Sequence, residues 1–196
     1  MLTPILIGLS HSIESDHVIA VSNLVDVRHG FLKEALRGIA WGVGHTVSVM
    51  CSTFVLLFIK NSIDVSESVS LELLVGVMMV VIGLVRLFSI HSKKHMHPHP
   101  EKKYLFFNVG LIHGLAGSGA IAALLSTQLD SLYEQTQFLL LFGLGTMIGM
   151  GIITALFTRL KFLKPQYLHV FSYIIASVSV LYGIKIMYEQ LYTYIN

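Results

Sequence analysis

Charge is what this chain has least of. Only 12% of its 196 residues are Asp, Glu, Lys or Arg, against 54% hydrophobic, and the mean hydropathy is +0.74. Soluble domains carry about 25% charged residues. The shortage excludes an ordinary soluble domain and implies an integral membrane protein. The net charge of +2 carries little meaning by itself, and no nucleic-acid partner is expected. Cysteine is nearly missing as well. Cys51 alone excludes an internal disulfide, a CxxC pair and a dithiol electron relay, and its apolar neighbours suggest a small buried residue. No Gly-Lys-Ser/Thr follows the glycine-rich run at 114–120, so there is no phosphate-binding loop. HExxH is absent, which removes the common metallohydrolase motif; the chain is not expected to be an enzyme. No basic residue precedes His11, so residues 2–24 read as a retained helix rather than a secretory signal.

What is there is apolar and periodic. A membrane-spanning helix needs about 20 mostly apolar residues. Six stretches qualify: 2–24, 38–59, 70–90, 104–127, 136–158 and 167–188. The fold class is therefore an all-α integral membrane protein with six transmembrane helices in a single domain over residues 1–196. Of the 13 Lys and Arg, 11 fall in or beside the first, third and fifth linkers, among them Arg28, Lys33, Arg37, Arg86, Lys161 and Lys164. These read as topology anchors. The positive-inside rule makes that side cytoplasmic, which puts both termini outside a plasma membrane. Trp41, Tyr167, Tyr188, Tyr192 and Tyr194 fit interfacial aromatic belts.

The chain repeats itself. "GLSHSIESDHVIAV" (8–21) aligns with "GLIHGLAGSGAIAA" (110–123), His11 on His113. "GIAWGVGHTV" (38–47) aligns more weakly with "GLGTMIGMGI" (143–152), Gly44 on Gly149 and His45 on Met150. Repeat one covers about residues 1–90, a His-rich linker 91–103, and repeat two about 104–196. Three crossings per unit make a 3+3 inverted repeat, the plan of many transporters with a midplane site. The many glycines of the second, fourth and fifth helices read as close helix packing; the "GLAGSGA" run could instead loosen the fourth helix.

The polar residues inside these helices are few and costly. An Asp at the bilayer centre costs at least about 2.5–3.5 kcal/mol. Yet His11, Glu14, Asp16 and His17 sit within the first helix, His45 in the second and His113 in the fourth. Neutral imidazole and carboxylate without thiolate suit Ni(II) or Co(II), and Zn(II) less decisively. On a regular helix Asp16 lies about 140° and His17 about 240° from His11 around the axis. Either the helix unwinds between Ser12 and Ser15, or the histidines serve successive stages. Glu14 either ligates or hydrogen-bonds a ligating imidazole. The tract "HSKKHMHPHP" (91–100) adds His91, His95, His97 and His99 as a secondary cytoplasmic metal-binding segment, or a plain solvated linker. His29 and His169 sit at helix ends and receive no role.

"HSIESDH" (11–17) resembles the His-x4-Asp-His signature of the nickel/cobalt transporter (NicO/NiCoT) family, and "GVGHTVSV" (42–49) resembles its second motif. With "GLIHGLAGSGA" and "FGLGTMIGMG", the chain is most similar to that family's six-helix, UreH-like urease accessory branch. The resemblance implies a multi-pass secondary permease for Ni(II) or Co(II), with His11, Asp16, His17 and His45 at the family's metal-handling positions. Glu14 stands where the family usually has aspartate. Uptake of nickel for an enzyme such as urease is the expectation, with the metal as cargo, no prosthetic cofactor, the lipid bilayer around it and a cytosolic metallochaperone as candidate partner. Efflux through the same site is the alternative. A sulfite or anion exporter would need cationic groups in the membrane, and the helix centres hold no Lys or Arg.

Overall fold

Apolar periodicity predicts helices throughout. The computed structural model describes residues 2–59, 69–91, 102–115, 122 and 125–195, and these are helical with no strand among them. The order is α1 (Leu2–His11), α2 (Ser15–Leu24), α3 (Phe31–Ile59), α4 (Val69–His91), α5 (Lys102–Leu115), α6 (Leu132–Phe157), a 3₁₀ turn (Thr158–Phe162) and α7 (Pro165–Ile195). Four segments are long and apolar enough to cross a membrane: Phe31–Val55, Glu72–His91, Leu132–Phe162 and Pro165–Thr193. α1 and α5 are shorter apolar helices. The molecule is a multi-pass membrane protein.

Local sequence explains the boundaries. Ser131 caps α6, its Oγ accepting from the Glu134 N–H at 3.2 Å, as a Ser-x-x-Glu start should. Pro165 opens α7, where its missing N–H costs nothing. α3 begins seven residues before the expected 38, because Glu34 sits in its first turn and pairs with Arg37 one turn on. The first linker is correspondingly short. The first apolar stretch is not one helix: residues 12–14 break it, as the helical-wheel argument required of a shared site. Serine helps cause the break, since the Ser12 Oγ donates to the Leu9 carbonyl at 2.6 Å and competes with continued helix.

The packing is inside-out relative to a soluble protein. Leu, Val, Ile and Phe are exposed along the outer faces, whereas Thr46, Thr53, Thr146, Thr154 and Ser179 are buried. Each hydroxyl is spent on a carbonyl; Ser48 donates to Leu111 at 2.6 Å and Ser179 to Met79 at 2.9 Å, across helix pairs. Cys51 is exposed, contrary to the expectation of burial. It shares a stripe with exposed Val47 and Val55, a face that meets lipid, where a small apolar side chain is at home.

Glycines set the close approaches. α3 packs on both α5 and α6, α1 on α6, and α4 on α7. A Cβ on Gly44 would strike the Phe107 carbonyl, and one on Gly145 the Ile5 carbonyl. Gly8 faces the Phe142 carbonyl and Gly110 that of Trp41; Gly42 faces Met147 and Gly143 faces Thr46; Gly83 faces Ala176 and Val180, Gly183 faces Gly76 and Val80. Gly44 thus has the surroundings of Gly145, one helical turn from Gly149, with which the sequence alignment pairs it. Glycines at 143, 145, 149 and 151 offer both registers, and only packing chooses. Residues 116–120 of the "GLAGSGA" run lie outside the described residues.

Candidate metal site

The break at 12–14 decides where the first-helix histidines point. α1 ends on His11 and α2 starts at Ser15, so His17 is carried by a new helix with its own azimuth. α3 brings His45 near the middle of its span, and α5 brings His113 two residues from its end. All four histidines are buried, at 0–4% exposure. Their ring centroids lie 4.6 Å (His11–His17), 5.0 Å (His11–His45), 5.3 Å (His17–His45) and 5.0 Å (His17–His113) apart.

Two three-residue groups each bring their ligand atoms within 4.8 Å of one another: His11, His17 and His45, and Asp16, His17 and His113. His17 belongs to both. The Nε2 atoms of His11 and His45 are 3.0 Å apart. Two nitrogens about 2.1 Å from one ion and at right angles are about 3.0 Å apart as well. His17 Nε2, His45 Nδ1 and both nitrogens of His113 are buried without a hydrogen-bond partner among the described residues. A buried polar atom left unpaired costs about 1–3 kcal/mol, and each neutral imidazole keeps one lone-pair nitrogen, so His17, His45 and His113 can each offer one lone pair to a cation.

Carboxylates stand behind the imidazoles. Glu14 Oε1 lies 3.0 Å from His11 Nδ1 and Asp16 Oδ1 lies 2.9 Å from His17 Nδ1. Accepting from Nδ1 leaves Nε2 bare and aims it inward, the usual carboxylate–histidine arrangement behind a metal. The Asp16 Oδ2 also comes within 3.7 Å of His113 Nε2, so this carboxylate reaches the interior from its far oxygen. Glu14, whose side chain is 42% exposed, approaches from outside the cluster.

The structure therefore brings His11, Glu14, Asp16, His17, His45 and His113 together. It does not bring His91 to them: that residue ends α4 and is exposed. His95, His97 and His99 lie outside the described residues. Trp41 is not an interfacial residue, as its chain position suggested. It is fully buried, stacked on His45 at 5.2 Å and 8°, and edge-on to His17 at 4.7 Å. Tyr167, Tyr188 and Tyr192 are exposed, as a belt requires.

Arg37 and His29 have a further, local role. Arg37 is buried with Glu34, and His29 joins them from the α2–α3 loop. The α3 spacing carries a signal for Arg37 and Trp41: residues 34, 37, 41 and 45 recur at spacings of three and four, one stripe of α3, and all four are at most 5% exposed.

No family model and no solved structure matches the sequence. Among curated proteins, the chain is 34% identical to the urease accessory protein UreH of Bacillus sp. (strain TB-90), over 94% of this chain and 88% of the relative. It is 26% and 25% identical to the Arabidopsis thaliana chloroplast proteins FOR GROWTH AND FERTILITY 1 and 2, over 78% and 94% of this chain. The match spans about half of each plant protein, 48% and 55%.

Proposed function

The chain belongs to the family of the urease accessory protein UreH, and we propose on that footing that it is a secondary permease for a divalent transition metal, Ni(II) or Co(II), of the nickel/cobalt transporter kind. One observation carries the reading: His11, His17, His45 and His113, from four helices, meet in the interior of a membrane bundle, and His17, His45 and His113 keep unpaired nitrogens there. A core needs no such set for stability. Imidazole-rich sites backed by carboxylate suit late first-row divalent ions.

The residues divide the work. His11, His17, His45 and His113 replace water around the ion. Asp16 adds a charge that offsets the ion's own, and Glu14 holds the His11 ring. Access from the α1 side, capture, and release toward the His-rich linker form the sequence of steps for uptake. A membrane potential of 100 mV supplies about 4.6 kcal/mol for a divalent cation moving inward. A 3+3 inverted repeat belongs to this reading, and the matched glycine surroundings of α1 with α5, α3 with α6 and α4 with α7 support it. Both termini would then face outward. Cargo metal, lipid and a cytosolic metallochaperone are the partners of this reading; catalysis and nucleic acid have no place in it.

The test is isotope uptake into proteoliposomes. Nickel-63 accumulates under an inside-negative potential; excess cobalt competes and excess manganese, which prefers oxygen ligands, does not. Accumulation that is absent, or unaffected by cobalt, rejects the reading.

A further inference from the structure

We propose that the cavity at Arg86, where the ends of α2, α4 and α6 meet the start of α7, binds the phosphate headgroup of an anionic phospholipid. The site shares no residue with the histidine cluster, and the inference does not depend on the permease reading.

The donors there outnumber the acceptors. Arg86 sits in α4, five residues before its end, and is half-buried. A guanidinium carries five N–H donors and no acceptor. Among the described residues Arg86 spends one of them, from Nη2 to the Ser172 Oγ at 3.2 Å. Ser172 accepts in that bond and keeps its own O–H to give. The charges acting on Arg86 are Asp26 and Arg28, opposite in sign. Arg28 already holds both Asp26 oxygens, Nε at 3.0 Å and Nη2 at 2.9 Å. Arg86 is thus a cation with most of its hydrogen-bonding capacity unspent, and the group that suits it is an anion rich in acceptor oxygens.

The walls and the depth choose a lipid. Apart from Arg86, Ser22 and Ser172 the cavity is lined by apolar side chains, Phe157, Leu168 and Phe171 among them, and it is open on one side. Such walls suit a phosphate that arrives with hydrocarbon attached. At 1.5 Å per residue, Arg86 lies about 7 Å inside the end of α4 and Ser172 about 10 Å inside the start of α7. A headgroup layer is about 5–8 Å deep on each side of the hydrocarbon, so the guanidinium stands where headgroup meets acyl chain. The same side of the molecule carries exposed Arg28, Arg159, Lys161 and Lys164. These draw anionic lipid to that face, and basic pockets between helices are where its headgroups lodge.

Native mass spectrometry of the purified full chain tests this, with dioleoylphosphatidylglycerol, dioleoylphosphatidylcholine or inorganic phosphate added. One phosphatidylglycerol should stay on the chain at a collision energy that strips phosphatidylcholine, which has the same phosphate but carries its own cation. Arg86→Gln should lower the retained phosphatidylglycerol by about fivefold or more, whereas Arg86→Lys, which keeps the charge, should retain it. Lys161→Gln removes an exposed charge outside the cavity and should change nothing. Because Arg86→Gln strips Ser172 of its partner and risks misfolding, Leu168→Trp gives a second arm: it fills the cavity, leaves Arg86 intact and should lower retention as well. Phosphatidylglycerol retained in full by Arg86→Gln or by Leu168→Trp overturns the site, and so does an equal loss in Lys161→Gln or equal retention of phosphatidylcholine. Displacement of phosphatidylglycerol by millimolar inorganic phosphate would assign the cavity to a free anion and overturn the lipid.

Discussion

His11 and His45 meet Nε2 to Nε2 at 3.0 Å, one from the end of a broken helix and the other from the middle of a long one. The helices that carry them are packed closely through Gly8 on Phe142 and Gly44 on Phe107. The 3.0 Å spacing also suits two adjacent ligands of one ion. His45→Ala and His11→Ala should each lower nickel accumulation by about 10–100-fold or more, with the folded yield in detergent unchanged. Accumulation within twofold of the wild type would contradict the shared site.

The two carboxylates should respond unequally. Glu14 reaches the site through His11 alone, whereas Asp16 touches both His17 and His113. Glu14→Gln keeps an acceptor for His11 Nδ1 and should weaken nickel binding by no more than about tenfold, while Asp16→Asn, which removes the interior charge, should weaken it by about 10–100-fold. Competition with a metallochromic chelator measures both; the reverse order would show that Glu14, not Asp16, meets the ion.

Glycine packing makes a stability prediction in matched pairs. Gly44→Ala and Gly145→Ala drive a methyl group into the Phe107 and Ile5 carbonyls respectively. Each should cost about 1–3 kcal/mol, as overpacking does, and the two costs should agree closely. Gly30 has nothing within 4 Å of a Cβ, so Gly30→Ala should stay within about 0.5 kcal/mol. Unfolding midpoints in one detergent compare the three.

Cys51 faces outward on the Val47–Val55 stripe. In membranes it should be spared by a charged, impermeant maleimide, because a thiol facing lipid does not form the thiolate, and should react once the chain is unfolded in detergent. Cys51→Ala should leave nickel accumulation unchanged. Loss of transport in that variant would place the thiol in the pathway.

Much of this was legible in the sequence because membrane burial makes polarity costly. His11, Asp16, His17, His45 and His113 stood out for that reason, and the 100° helical step required either a break near Ser12 or two successive positions; the break is there. Other features were hidden by the same environment. Outward and inward apolar positions look alike in a bilayer, so Cys51 could be placed on either face. Trp41 near a helix start reads as a belt residue until tertiary contact stacks it on His45. Arg37 in a basic linker reads as a topology anchor, because its partnership with His29 depends on a loop returning over α3. Gly44 aligns with Gly149 in sequence but shares its kind of neighbour, a backbone carbonyl of a shorter helix, with Gly145.

The central claim is that the buried histidine cluster binds the cargo ion, and the chain carries its own reporter for it. Trp41 is the only tryptophan, with ring centroids 4.7, 5.2 and 5.4 Å from His17, His45 and His113. Titrating Ni(II) into the purified protein should quench Trp41 emission saturably, and His45→Ala or His113→Ala should abolish the quench. Wild-type emission that nickel leaves unchanged, or a quench that survives both substitutions, would contradict the account.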